Sequence, residues 1–326
     1  MMYDPAKPYK KEIIELIKKT WGEKIPKSKV WKSPYFFVYE GLYPVLQRRF
    51  FGEEIDHVDG IGTKGFYHWQ KKTLKNAVLD ALRMNWNDIA MLFGTPLKIQ
   101  NHITLPKEDK SFLFEILEYM VEDCNKYGVV ISGGETSIHD NNQSLDISVS
   151  VNAFRNYHLR PNSCKVGDYI VGFQSNSLHS NGFTKIRELF GNEGRPEFTE
   201  PTADYLQHVK KIMNNYERYL PNGLMHITGG AFTKIKDILK KEDVLISKEH
   251  NLGPQPIYHE IYGKGVSDEE MYKTFNCGIG FVMSAKPDNA KALAEIFGDA
   301  AIIGEVVKGN GKVRIESMFS DKEIVY

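Results

Sequence analysis

Cysteine is scarce in this chain of 326 residues: there are three, Cys124, Cys164 and Cys277, and no two stand in a C-x-x-C pair. Their odd number and wide spacing argue against a disulfide framework or a structural zinc site, and point to a reducing, cytoplasmic setting. Net charge is missing too, because 42 Lys and Arg balance 42 Asp and Glu. A broad electrostatic grip on nucleic acid is therefore not expected. No window approaches ~18 uninterrupted apolar residues, so no membrane span is expected. The opening stretch "MMYDPAKPYKKEIIELIKKTW" lacks the apolar core of a secretory signal. Solenoid-length repeats, low-complexity tracts and H-x-x-x-H pairs are also absent. What remains is a chain with 41% hydrophobic residues, ample for buried cores. Its length suggests two domains of about 150 residues each.

Helical and strand patterns interleave. Ile13, Ile14, Ile17 and Trp21 predict an amphipathic helix over 10–21. Residues 33–51 are aromatic and irregular, suggesting strand and turn. Leu74, Val78, Leu82 and Ile89 predict a helix over 71–93, stopped by "GTP". Phe112, Ile116, Met120 and Cys124 share a stripe of a helix over 111–127, with Gly128 as its cap. "VVIS" (129–132) reads as a buried strand, and "LDISVSV" (145–151) alternates as a half-buried one. A second unit begins near residue 160, after "RNYHLRPNS". It carries "DYIVGF", "GIGFVMSA", "AIIGEVV" and "KVRIES" as strands, the last two joined by a "GNG" turn. "GFTKIRELF", residues 203–220, "AFTKIKDILKK" and "PDNAKALAEIF" are its predicted helices. Domains over 1–160 and 161–326, each mixing helix and strand, follow from this alternation.

Several segments carry chemistry. "HVDGIGTKG" (57–65) has glycines one residue apart and a threonine before its lysine, so it is not a P-loop, which needs G-x-x-x-x-G-K-[ST]. Asp59 offers a carboxylate to Mg²⁺, Gly60 and Gly62 let backbone N–H groups approach a ligand, and Thr63 and Lys64 suit a phosphate. A hairpin turn with a solvated lysine explains this loop alone equally well. Asp80 and Asp88 stand eight residues apart on one predicted helix, with Asn87 beside the latter. Glu135 follows Gly133 and Gly134 where a strand is expected to end, a favoured ligand position. Asp59, Asp80, Asp88 and Glu135 together suggest a magnesium–nucleotide set. "SNSLHSNGFTKIREL" (175–189) leads small polar residues into a helix start, which suits an anion. Ser177, Ser180, Asn181 and Gly182 are its contacts, and His179 is a phosphate ligand or proton carrier. A capping turn with an exposed histidine is the plainer explanation of this segment. "HITGGAFTKIKDIL" (226–239) repeats the logic with Thr228, Gly229 and Gly230. The remaining histidines read as surface or core residues, and Cys277 as a buried thiol.

These motifs, in this order, resemble the phosphoribosylformylglycinamidine cyclo-ligase (AIR synthetase) family. The pieces are "DGIGTK" (59–64), "LDALRMNWNDI" (79–89), "GVVISGGET" (128–136), "VGDYIVGFQSNSLHSNGFTKIREL" (166–189), "HITGGAFTKIKDIL", "EMYKTFNCGIGFVM" (270–283) and "GEV" (304–306). "MYKTFNCGIG" and "LHSNG" are the most specific. "DGxGTK" and "GGET" are shared with selenophosphate synthase, thiamine-monophosphate kinase and the hydrogenase-maturation dehydratase. The reactive N-terminal cysteine of the first and the cysteine tail of the last are not found here.

The resemblance implies an α+β fold of two domains. The N-terminal one would form a dimeric β-barrel, with a C-terminal α/β domain packed on it. It implies ATP and Mg²⁺ in the cleft and a homodimer acting on a phosphoribosyl amidine. ATP would phosphorylate the formyl amide oxygen of formylglycinamidine ribonucleotide, and ring closure to aminoimidazole ribonucleotide would release phosphate. Asp59, Asp80, Asp88 and Glu135 would then be metal-side acids supported by Asn87. Gly60, Gly62, Thr63, Lys64, Gly133 and Gly134 would hold ATP, and Lys64 and His179 would act in catalysis. Ser177, His179, Ser180, Asn181, Gly182, Thr228, Gly229 and Gly230 would face the substrate. One departure stands out: the family's usual "SY…AGV" segment and "GGLGGF"-like loop are replaced by "WKSPYFFVYEGLYPVLQRRFFGEEIDH". A relative acting on a different amide or phosphate, and a non-catalytic nucleotide-binding paralogue, are the competing expectations.

Overall fold

The computed structural model describes residues 9–20, 35–40, 43–48, 53–155 and 161–326. Trp21, Gly41, Gly52 and the stretch 156–160 lie outside the described residues. By contact the chain divides into two compact units, residues 1–89 with 94–158, and residues 90–93 with 159–326.

In the first unit, helix α1 (Lys10–Ile17) precedes an antiparallel hairpin of β1 (Tyr35–Glu40) and β2 (Tyr43–Arg48). Then come β3 (Glu53–Gly60), α2 (Gly65–Lys71), α3 (Leu74–Met91), β4 (Thr95–Leu105), α4 (Lys110–Tyr127), β5 (Val130–Ile138) and β6 (Asp146–Arg155). Four of these strands form a sheet in the order β3-β6-β4-β5, in which only the β4–β5 pair is parallel. Alternation decides its faces. Ile147, Val149, Val151 and Ala153 of β6 are buried, while Ser150 between them is exposed. Helices α3 and α4 supply the apolar stripes expected, and the Trp86 indole N–H donates to Asp123 Oδ2 at 3.2 Å between them. Asp109 caps α4 by accepting from the backbone N–H groups of Ser111 and Phe112, and Gly128 closes it with a left-handed φ of 65°.

Three expectations need correction here. The helix expected over 71–93 is the single helix α3, but the separate α2 before it was not anticipated; Lys72 divides them by taking a left-handed φ of 57° and stacking its ammonium 3.4 Å from the centre of the Trp69 ring. Strand β4, whose interior residues alternate in exposure, was not anticipated. Strand β5 does not end at Ser132 but runs through the two glycines to Ile138, so Glu135 lies inside a strand.

The second unit is built on a sheet of seven strands. These are β7 (Tyr169–Gln174), β8 (Gly223–His226), β9 (Glu242–Ile246), β10 (Ile279–Ala285), β11 (Ala300–Lys308), β12 (Val313–Glu316) and β13 (Glu323–Val325). They lie in the order β13-β12-β9-β11-β7-β10-β8. The "GNG" turn therefore makes no hairpin: β9 sits between β11 and β12, and pairs in parallel with β12. Helices α5 (Phe183–Phe190), α6 (Leu206–Asn215), α7 (Pro256–Gly263), α8 (Asp268–Thr274) and α9 (Pro287–Ile296) complete the unit. The helix expected over 203–220 stops at Asn215 and resumes as a short 3₁₀ turn, Glu217–Tyr219. "AFTKIKDI" is a 3₁₀ segment, Ala231–Ile238, not an α-helix. Its i→i+3 bonds run from Thr233 N to Gly230 O (3.0 Å) and from Leu239 N to Lys236 O (3.1 Å). The fold is thus mixed α+β in two units. Among the described residues neither sheet closes into a barrel. No described helix is long and apolar enough to cross a membrane.

Candidate functional site

The loop "DGIGTKG" is not a hairpin turn. Strand β3 ends at Gly60, a 3₁₀ turn covers Gly62–Lys64, and α2 starts at Gly65. Gly60 is required by crowding, since a Cβ there would stand 2.7 Å from the Ile147 carbonyl oxygen. Gly62 takes a left-handed φ of 52° and faces open space. Asp59 turns its Oδ1 onto the Gly60 N–H at 2.7 Å, and Thr63 is half-buried.

Lys64 departs from expectation. Its side chain is fully buried, and Nζ lies 2.7 Å from Oδ2 of the equally buried Asp80. The same oxygen accepts from His68 Nε2 at 2.8 Å, and His68 Nδ1 meets the Thr73 hydroxyl at 2.8 Å. With Nε2 facing a carboxylate, the neutral ring carries its proton there and Nδ1 accepts from Thr73. Burial pushes the His68 pKa down, outweighing Asp80's pull upward. Burial alone would raise the Asp80 pKa, but Lys64 and His68 hold it well below the usual carboxylate range. Lys64 and Asp80 are therefore an internal ion pair, and in this conformation neither is presented as a phosphate contact or a metal ligand.

Asp88 has another partner. Two turns of helix separate it from Asp80, but eight residues overshoot two turns by roughly 80°. Asp88 Oδ2 lies 3.2 Å from His57 Nε2. His57 Nδ1 lies 2.8 Å from Asn85 Oδ1. The fully buried Asn85 donates through Nδ2 to the carbonyls of Ala81 (2.8 Å) and Asp59 (3.2 Å). Those two carbonyls fix the amide, so its oxygen must face the imidazole. Both nitrogens of His57 then face oxygen atoms, one of Asp88 and one of Asn85. The hydrogen bond to Asp88 is the main reason the His57 pKa is raised. Asn87 is fully buried on the same helix.

Glu135 stands apart. The pairing runs Gly60↔Ser148, Ser148↔His102 and His102↔Glu135, so the sheet puts Gly60 and Glu135 in one row on opposite edges. Three strand spacings separate them, roughly 14 Å, too far for one ion in a single chain. Glu135 is exposed and accepts from the Thr136 N–H at 3.2 Å. Gly134 leaves room for Asn101, whose Oδ1 would lie 2.5 Å from a Cβ there, while Gly133 is open. Hence the four acids do not converge. Among the described residues no three His, Cys, Asp or Glu side chains gather as a metal site. Asp88 is joined through His57 and Asn85 to the backbone carbonyl of Asp59, and these are the two of the four acids that the structure links. Mg²⁺ arriving with a nucleotide needs only one or two carboxylates, so these two fit it.

In the second unit the two glycine-rich segments meet. Thr228 Oγ1 donates to Asn181 Oδ1 at 2.9 Å, and a Cβ on Gly229 would stand 3.9 Å from that oxygen. Asn181 Nδ2 is buried and has no hydrogen-bond partner among the described residues. An orphaned amide donor of this kind suits an acceptor brought by a ligand. Gly182 (φ 70°) precedes α5, and a Cβ there would stand 2.3 Å from the Phe275 ring. Gly230 also has a left-handed φ, 83°. Ser180 Oγ is 3.3 Å from Thr202 Oγ1, and Ser177 Oγ accepts from the His179 N–H at 3.1 Å.

His179 is not exposed. It is fully buried at a φ of 57°, its ring centre 6.0 Å from that of Tyr205 and 6.1 Å from that of His226. Gly280 makes room, because a Cβ there would lie 2.5 Å from His179 Cε1. Beneath the loop, buried Asn276 accepts through Oδ1 from Ser175 Oγ (2.8 Å), Tyr258 OH (2.8 Å) and Gly278 N (3.0 Å), and donates to the Ser177 carbonyl (2.9 Å). This hub ties "NCGIG" to "NSLHSN". Cys277 is buried, and burial holds its thiol pKa well above the usual value.

Two family models match the chain: "AIR synthase related protein, N-terminal domain" over residues 55–154 and the corresponding C-terminal domain over 165–316. A phosphoribosylformylglycinamidine cyclo-ligase of Saccharolobus solfataricus is 31% identical over 265 residues, covering 78% of this chain and 79% of that protein. The chain belongs to the AIR synthase-related family. Solved structures similar to it include the hydrogenase maturation protein HypE in complex with ATP, at a TM-score of 0.65 and 12% identity, covering 97% of this chain and 93% of that one. A thiamine-monophosphate kinase of Stenotrophomonas maltophilia gives a TM-score of 0.64 at 15% identity, covering 94% and 96%. At such identities these two speak for the AIR synthase-related fold alone.

Sequence reasoning passed over His57, His68, Asn85 and Asn276. A signal existed for the first two. His57 precedes Asp59 by two on a strand, so both point to one face. His68 follows Lys64 by four, one helical turn on. Nothing local marks Asn85 or Asn276, whose partners are distant in sequence.

Proposed function

We propose that this protein is an ATP-dependent cyclo-ligase that closes formylglycinamidine ribonucleotide to aminoimidazole ribonucleotide in de novo purine synthesis, a cytoplasmic reaction. The observation that carries this reading is the 31% identity to the S. solfataricus protein of that name over 79% of its length. In the reaction the amide oxygen takes the γ-phosphoryl group and ADP leaves. A substrate nitrogen then attacks the activated carbon, the ring closes, and phosphate departs with that oxygen. Such chemistry asks the protein mainly to position the reactants and neutralise charge.

The first unit would receive the nucleotide. Gly62, exposed at a left-handed φ, and the backbone N–H and hydroxyl of Thr63 would face the phosphates, while the Gly60 and Ile61 N–H groups stay with Asp59 and the Ile147 carbonyl. Asp59 and Asp88 would hold Mg²⁺, which offsets phosphate charge when bound. Lys64 supports the loop from inside through Asp80. Gly133, Gly134 and Glu135 lie on the far edge of the sheet. They take part through a homodimer in which edge strands β3 and β5 meet and the sheets close into a barrel. The second unit would receive the phosphoribosyl amidine, with Asn181 Nδ2 as a donor, the glycines at 182, 229 and 230 leaving room, and Ser177 and Ser180 shaping the loop. His179 packs behind that loop and holds it at a left-handed φ.

The test mixes the protein with Mg-ATP and formylglycinamidine ribonucleotide and follows ADP, phosphate and the aminoimidazole product. All three should appear in equal amounts. ADP formation stimulated by some other amide or phosphate, with none from the purine precursor, would favour the second reading, a relative with a different substrate. The altered segment before "DGIGTK" motivates it. Mg-ATP binding without turnover on any substrate would favour a non-catalytic paralogue.

A further inference from the structure

His57 belongs to neither the "DGIGTK" nor the "NWNDI" motif, yet it joins them. It lies on the face of β3 that looks onto α3, its side chain 28% exposed beside an Asp88 side chain that is 11% exposed. One ring nitrogen lies 3.2 Å from Asp88 Oδ2 and the other 2.8 Å from Asn85 Oδ1. Asn85 in turn donates to the backbone carbonyl of Asp59 and to its own helix at Ala81. The result is a closed chain of hydrogen bonds from the Asp88 carboxylate, through an imidazole and an amide, to the main chain at Asp59. A carboxylate held by an outer partner loses less freedom when it meets a cation, the effect that second-shell groups have on metal ligands. Beyond the strand end at Gly60, Gly62 takes a left-handed φ in open space, so the loop there has no side chain to brace it.

We propose that His57 is a positioning residue: together with Asn85 it clamps Asp88 against the Asp59 backbone and so presets the acid end of the loop for Mg-ATP. This rests on the nucleotide reading above. The group acts through Asp88 and touches no reacting atom, which sets the form of the test. His57→Leu removes both ring nitrogens and with them the link to Asp88, and Mg-ATP affinity, measured by calorimetry, should weaken about tenfold, the effect of losing one hydrogen bond to a carboxylate. His57→Gln keeps one N–H toward Asp88 and should stay within roughly threefold of the native protein, which guards against a variant that merely fails to fold. In an Asp88→Asn background, His57→Leu should change the affinity no further, because the two residues work as one unit. KM should rise for ATP and not for the amidine substrate. Additive effects of the two substitutions, or an equal rise in both KM values, would overturn the clamp. A native protein that binds no Mg-ATP would instead overturn the nucleotide reading and this inference with it.

Discussion

The least expected residue is Lys64. Read in sequence, a lysine after "DGIGT" is a phosphate-binding cation. Folded, it is the counter-ion of Asp80, with both side chains fully buried. Two charges are tolerated there because they pair at 2.7 Å and His68 and Thr73 complete the hydrogen bonds. Removing one partner strands the other. Lys64→Met should destabilise the protein by about 3–5 kcal/mol, read as a fall in the urea midpoint. Lys64→Met combined with Asp80→Asn should recover much of that loss. A Lys64→Met protein of native stability that has lost only Mg-ATP affinity would show instead that Lys64 leaves Asp80 to meet phosphate. The sequence made both partners visible as charges. It could not show that they face each other, because the pairing joins the start of α2 to the middle of α3.

The elements were legible to different degrees. Strand β6 and helices α3, α4 and α9 are visible because period-2 or helical spacing of apolar residues is a direct consequence of facing a core on one side. Strand β4 hid behind "GTP", where a helix stop obscured a strand start. The 3₁₀ segment after "HITGG" reads as α-helix because both periods bury residues three to four apart. The glycines are firmer evidence. Gly182 takes a left-handed φ and its missing Cβ is replaced by the Phe275 ring. Gly182→Ala should cost about 1–2 kcal/mol from the backbone alone, and more from displacing Phe275. Urea titration measures it, and a neutral result would mean that α5 shifts to admit the methyl group. The same variant should weaken binding of the phosphoribosyl substrate, since Asn181 precedes the glycine.

For the assembled protein, the open sheet of the first unit carries the larger consequence. Strands β3 and β5 are both edges, and the face turned from the helices bears exposed Gln100, His102 and Ser150. Val58, 65% exposed, is one of the few large apolar side chains left to solvent among the described residues. Exposed edges with apolar character are normally covered. If two copies close the barrel, sedimentation should give twice the chain's mass, and Val58→Asp should shift the protein toward monomer with loss of turnover. A native protein that sediments as a monomer at working concentration would remove the barrel, and with it any role for Glu135 beside Asp59.

Sequence by itself determined the family, through motifs whose order and spacing survive in this chain, and it determined the chemical vocabulary of the loops: acid, glycine, hydroxyl, lysine, amide. It also determined the mixed α+β class, since burial periodicity is a local property. Only the tertiary structure decided which charges are used in pairs and which face a ligand. Asp80 became a buried partner of Lys64, Asp88 a partner of His57, and Glu135 a residue three strands away. Among the described residues the Asn181 amide donor has no partner. The physical reason is that hydrogen bonding and ionisation depend on neighbours and burial. Those neighbours come from elements distant in the chain, whose meeting no local pattern encodes.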